Sequence, residues 1–90
     1  MDLIEKVISM SKVTPAEVIL VVERVLKLKL GQLKENTHAD EIENWDSVGQ
    51  LEILVTLDQL FDGKIASINE MAEADSMTKI LNILRQKSLV

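Results

Sequence analysis

Asn44-Trp45-Asp46-Ser47-Val48-Gly49-Gln50-Leu51-Glu52 closes a polar stretch and opens an apolar periodicity that runs on to Phe61. Asp46 and Ser47 are both strong N-cap residue types, so a helix start is expected at this junction. That would put the Ser47 hydroxyl at an exposed corner with unpaired backbone N–H groups just behind it. Free donors and the positive end of a helix dipole favour an anion there, a phosphate in particular.

The helix expected from Ser47 to Phe61 carries two separate faces. Ile53, Leu54, Leu57, Leu60 and Phe61 fall on one arc and are assigned to the core. On the opposite arc Val48 and Val55 stand among Glu52, Asp58, Gln59 and Asp62. Such a pattern is either a solvated face or a docking surface, with acids that orient a partner and valines that are dehydrated on contact. Periodicity alone favours the solvated face.

Upstream, Thr14-Pro15-Ala16-Glu17 is a capping box with proline at the first helical position. The helix it starts is expected to reach about Leu30 and stop at Gly31. Its apolar residues cover roughly 200° of the helix surface, more than one core contact needs. Residues 2–11 place Leu3, Ile4, Val7, Ile8 and Met10 on one side of a further short helix, which would cover the surplus. A dimer contact is the second explanation. Residues 31–46 form a long polar loop, pinned to the core by Ile42 and Trp45. Downstream, Asp62-Gly63 turns the chain and Ser67-Ile68-Asn69-Glu70 reads as another capping box, starting a short helix through about Ala72. Asp75 and Ser76 cap a last helix with Met77, Ile80, Leu81 and Leu84 inward and Lys79, Arg85, Gln86 and Lys87 outward.

Ninety residues suffice for one modest core. That core is aliphatic, because hydrophobic residues make up 47% of the chain and aromatic ones only 2%. A single proline and three glycines argue against a turn-rich β protein, and the lack of cysteine removes disulfides and thiolate metal sites. A net charge of −5 disfavours nucleic acid as a partner. No apolar run is long enough to span a bilayer and no leader pattern opens the chain, so a cytoplasmic location is expected. His38, Ser47 and Asp46 do not read as a hydrolytic triad, since adjacent Asp and Ser point differently and no oxyanion donors are evident. Asp40, Ile42 and Asn44 fail the calcium-loop pattern at its apolar member. The chain is therefore read as a non-enzyme.

Asp46-Ser47-Val48, the acidic amphipathic helix behind it and the ending Leu60-Phe61-Asp62 resemble the modification site of acyl carrier proteins, over a stretch from about Pro15 to the end of the chain. The resemblance implies an all-α, antiparallel four-helix bundle of three long helices and one short, in a domain spanning 14–90. Residues 1–13 would be an N-terminal helical extension. It implies 4′-phosphopantetheine, derived from coenzyme A, attached to Ser47 by a phosphopantetheinyl transferase with Asp46 beside it. The thiol of that arm would hold acyl or aminoacyl groups as thioesters. Val48, Glu52, Val55, Asp58 and Asp62 would meet basic patches on loading and processing enzymes. Leu54, Leu57, Ala72, Met77 and Leu81 would line an acyl pocket, in a monomer. This chain departs from the family in having Val48 where leucine is usual, Gly49 where fatty-acid carriers often have an acid, and Ala66 for a common proline. Trp45-Asp46-Ser47 is similar to carriers of specialised pathways. The competing expectation is an unmodified acidic helical interaction domain in which Ser47 is only a cap.

Overall fold

The computed structural model describes residues 13–90, and these are all-helical. Helix α1 is Pro15–Val25, α2 is Ser47–Leu60 and α3 is Met77–Gln86, with 3₁₀ turns at Ala39–Glu41 and Asn69–Glu73. The N-terminal helix expected over residues 2–11 lies outside the described residues.

Each α-helix begins on a side-chain cap. Thr14 Oγ1 accepts from Glu17 N–H while Thr14 N–H donates to Glu17 Oε1, completing the expected capping box. Asp46 Oδ1 accepts from Gly49 N–H and Ser76 Oγ from Lys79 N–H. Of the two candidates before α2 and the two before α3, Asp46 and Ser76 are the caps.

Helix α1 stops at Val25, well short of the expected Leu30. Lys27 takes φ of 60°, its N–H bonds Arg24 C=O, and Leu28 N–H bonds Glu23 C=O, which is the Schellman pattern. Two tertiary bonds then tie the end of α1 to the loop that follows. The Asn44 side-chain amide donates to Leu26 C=O at 2.9 Å, and the buried Glu23 carboxylate accepts from Leu33 N–H at 2.9 Å. Helices α2 and α3 end the same way, with Asp62 at φ 56° and Ser88 at φ 60° in the left-handed position. None of the three is glycine, so each bears about 1–2 kcal/mol of backbone strain.

The second expected capping box is not formed. Ile68 stands at the N-cap of the Asn69–Glu73 turn without a side-chain cap bond, and Ser67 is exposed. Burial explains why this piece is 3₁₀: Ile65, Ile68, Met71 and Ala74 are all buried. A spacing of three eclipses side chains in a 3₁₀ helix and would spiral away from the core in an α-helix. The backbone follows, with i→i+3 bonds from Ile68, Met71 and Ala74 N–H.

The core joins Val18, Val22 and Leu26 of the α1 stretch to Ile53, Leu57 and Phe61 of the α2 stretch and to Met77, Ile80, Leu81 and Leu84 of α3. Leu54 and Leu60, expected there too, are half-buried against it. Ile42 and Trp45 anchor the long loop as expected, with Leu33 as a third anchor. Beyond it, Met77 N–H donates to Thr37 C=O and Thr78 Oγ1 to Glu35 C=O, stitching the loop to the start of α3. Helix α1 packs on both α2 and α3, and so does the Asn69–Glu73 turn. Among the described residues α2 and α3 have no direct backbone contact, so α1 and the turn bridge them.

Asp58 holds the approach to that turn. Its Oδ1 accepts from Ile65 N–H at 3.0 Å and Ala66 N–H at 2.8 Å. Asp58→Ala should lower stability by about 1–3 kcal/mol in urea unfolding, because two loop donors lose a charged acceptor. A change within error would mean that water replaces the carboxylate at no cost.

Candidate functional site

The end of the long loop runs directly into the start of α2. The loop brings Asn44 and Trp45, Asp46 caps the helix, and Ser47 is its first residue. Gly49 explains how closely they fit: a Cβ there would collide with the Asn44 carbonyl oxygen and lie 3.2 Å from Leu26 Cδ2. Gly49 therefore serves the close approach of loop and helix, rather than clearance around Ser47.

Ser47 is exposed, and among the described residues its Oγ makes no hydrogen bond. Gly49 N–H is taken by the Asp46 side chain and Gln50 N–H by Asp46 C=O. The N–H groups of Ser47 and Val48 have no protein acceptor among the described residues. An exposed hydroxyl thus sits beside two free donors at the positive end of a fourteen-residue helix.

Grooves flank this corner. One, of about 340 Å³, runs from Ser47 past Trp45 and Gln50 to Ala72, Ala74 and Asp75. Another, of about 220 Å³, lies toward the end of α1, between Lys27, Asn44, Val48 and Glu52. A third, of about 390 Å³, follows α2 between Val25, Lys27, Leu51 and Val55. Val48, Leu51 and Val55 are 65%, 60% and 49% exposed. They repeat at i, i+3 and i+7 and so form one apolar strip. Leu51 was not among the expected members, although this spacing could have found it.

The remaining candidates divide. Glu52 and Asp62 are exposed at the strip and at the far end of α2, whereas one oxygen of Asp58 is committed to the loop. Leu57, Met77 and Leu81 are buried in the core and Leu54 is half-buried. Ala72 is separated from them, exposed on the turn and facing the Ser47 groove.

His38 is engaged by Asp40 and Asp75, and among the described residues no hydrogen bond joins it to Ser47 or Asp46. Its Nδ1 lies 3.1 Å from Asp40 Oδ1 and its Nε2 3.7 Å from Asp75 Oδ1. That Asp75 oxygen is closed off from solvent and faces Lys79 Nζ at 2.8 Å. Donation from Lys79 holds the Asp75 carboxyl below the usual carboxylate range. Desolvation opposes it, and the charges of Lys79 and His38 add to it. Among the described residues no group of three or more His, Cys, Asp or Glu is placed to hold a metal ion, and no helix is long and apolar enough to cross a membrane.

No protein-family model, no curated protein and no solved structure matches the chain.

Two outcomes check this geometry. Gly49→Ala should cost about 1–3 kcal/mol in thermal or urea unfolding, since the loop carbonyl must move to admit a methyl group. A depressed carboxyl stabilises the fold above its unfolded value, and that contribution fades as pH falls through the lower folded one. Melting curves of Asp75→Asn should thus lie below wild type at neutral pH and converge with it below about pH 4. Parallel curves across that range would remove the ion pair from the account.

Proposed function

We propose that this chain is a carrier protein of the acyl carrier type, bearing 4′-phosphopantetheine on Ser47. The observation that carries the reading is the free, exposed Ser47 Oγ at the first position of a helix capped by Asp46. The fit to the arm is supported by its surroundings. The free N–H groups of Ser47 and Val48 suit a phosphodiester, and the adjoining groove, lined in part by Ala39, Ala72 and Ala74, gives the arm room to lie along the surface. The order of long helix, long loop, second helix, short turn and last helix agrees with the antiparallel four-helix bundle of such carriers.

In this reading the Ser47 hydroxyl is the nucleophile in the loading step. Its oxygen forms a bond to the pantetheine-side phosphorus of coenzyme A, 3′,5′-ADP leaves, and the hydroxyl proton passes to a base on the transferase. Asp46 keeps the first turn in place and lends negative charge near the magnesium that the transferase brings. When bound, the arm supplies a terminal thiol that carries an acyl or aminoacyl group as a thioester. Tethering raises the effective concentration of that group at successive enzymes. Val48, Leu51 and Val55, with Glu52 and Asp62 around them, form the face offered to enzymes with basic patches. Asp58 adds charge through its second oxygen. The domain acts as a monomer and performs no chemistry of its own.

A second reading has its own support. The exposed strip on α2 would serve an unmodified interaction domain equally well. Incubation with coenzyme A, magnesium and a broad-specificity phosphopantetheinyl transferase separates the two. Intact mass should rise by one arm in wild type and stay constant in Ser47→Ala. A wild-type mass that never changes would leave the interaction domain standing.

A further inference from the structure

Gln50 occupies an unusual position between the loop, α2 and the bridging turn. Its Oε1 accepts from Trp45 Nε1–H, at 2.6 Å. Its Nε2 lies 3.1 Å from Met71 C=O, 3.2 Å from Ala72 C=O and 3.1 Å from Ala74 C=O. An amide has two protons, so they are shared among these three carbonyls. The indole can only donate and the carbonyls can only accept, which fixes the orientation of the side chain.

The consequence lies in what this one side chain spans. The Asn69–Glu73 turn is, with α1, one of the two elements that contact both α2 and α3. Every carbonyl bonded to Gln50 lies in that turn or at its exit, and Trp45 is buried beside Ser47. Parting the turn from α2 would take all three acceptors from the Gln50 amide at once and leave the Ala72 and Ala74 carbonyls without their side-chain donor. These bonds are partly shielded from water, so the groups left behind are only partly re-solvated and their separation is unfavourable. The open groove beside Ser47 runs along the outside of this contact, whereas Leu57, Met77 and Leu81 lie behind it in the core.

We infer that Gln50 is a positioning residue that latches the 69–73 turn onto α2 and so keeps a group borne on Ser47 in the external groove, out of the helical core. The second half of this inference rests on the carrier reading; the latch itself does not. The Gln50 side chain then decides how the carried group meets solvent and partner enzymes. An acyl chain held outside is available for transfer without a prior opening of the bundle.

Hydrogen exchange and thioester reactivity test the two halves separately. In Gln50→Leu, which keeps bulk and removes the amide, the Met71 and Ala74 amides should exchange about tenfold faster while Val22 and Leu57 are unchanged. Trp45→Phe removes only the indole donor and should speed the same amides by about two- to threefold. Unaltered exchange in Gln50→Leu overturns the latch; should that variant not fold, unaltered exchange in Trp45→Phe does so. For the cargo, octanoyl-coenzyme A and the transferase load the full chain, and hydroxylamine cleavage is timed against free octanoyl-pantetheine. Wild type should match the free thioester, and Gln50→Leu should be protected by about threefold or more. Protection in wild type overturns the external placement. Failure of wild type to load overturns the carrier reading and the cargo half with it, while the exchange data judge the latch alone.

Discussion

Asn44 is held from both sides. Its side-chain amide closes the end of α1 through Leu26 C=O, and its own carbonyl occupies the space that any side chain at position 49 would need. The C-terminus of one helix and the N-terminus of the next are thereby fixed to a common point. Ser47 owes its exposed position to this arrangement, because the loop arrives at α2 over Gly49 and leaves the first turn uncovered on its outer side. A residue with a side chain at 49 would push the loop away and carry Asp46 with it.

Around that point the chain resolves its polar backbone groups with little regular structure. The loop between α1 and α2 meets them with Glu23, Asn44, Thr37 and a bridge to the start of α3. Asp58 and Gln50 do the same for the segment between α2 and α3. Buried backbone donors and acceptors must be paired wherever they lie. In this small domain side chains reaching across elements complete the pairing that backbone turns leave open. Those side chains therefore have structural duties that limit their availability for partners, as Asp58 illustrates.

Helix α2 serves two environments along one length. Its inner stripe closes on α1 and the core, while Val48, Leu51 and Val55 stay open to solvent. Its N-terminus adds a site suited to negative charge beside a groove, and its acids surround the apolar strip. One helix carrying both an exposed hydroxyl at its first residue and an apolar strip along its length keeps the two in fixed register.

The helical class, the capping box at Thr14, the anchors Ile42 and Trp45 and the exposed corner at Ser47 were all legible from residue type and spacing. Each rests on local chemistry: a cap bonds within one turn, and an apolar residue isolated in a polar loop has few reasons to be there other than burial. The end of α1 was not legible, because apolar residues continue to Leu30 and the left-handed turn at Lys27, which no glycine marks, is fixed by the distant Asn44 on Leu26 C=O. The 3₁₀ turn was misread for a related reason. Ser67 and Glu70 have the right spacing for a cap, but burial of Ile65, Ile68, Met71 and Ala74 at intervals of three determines the winding. The bonds of Gln50 also cross more than twenty positions in the chain. Sequence alone determined what is settled within a few residues. Tertiary structure decided where helices stop and which polar side chains are already engaged, because those groups answer to partners that only folding brings near.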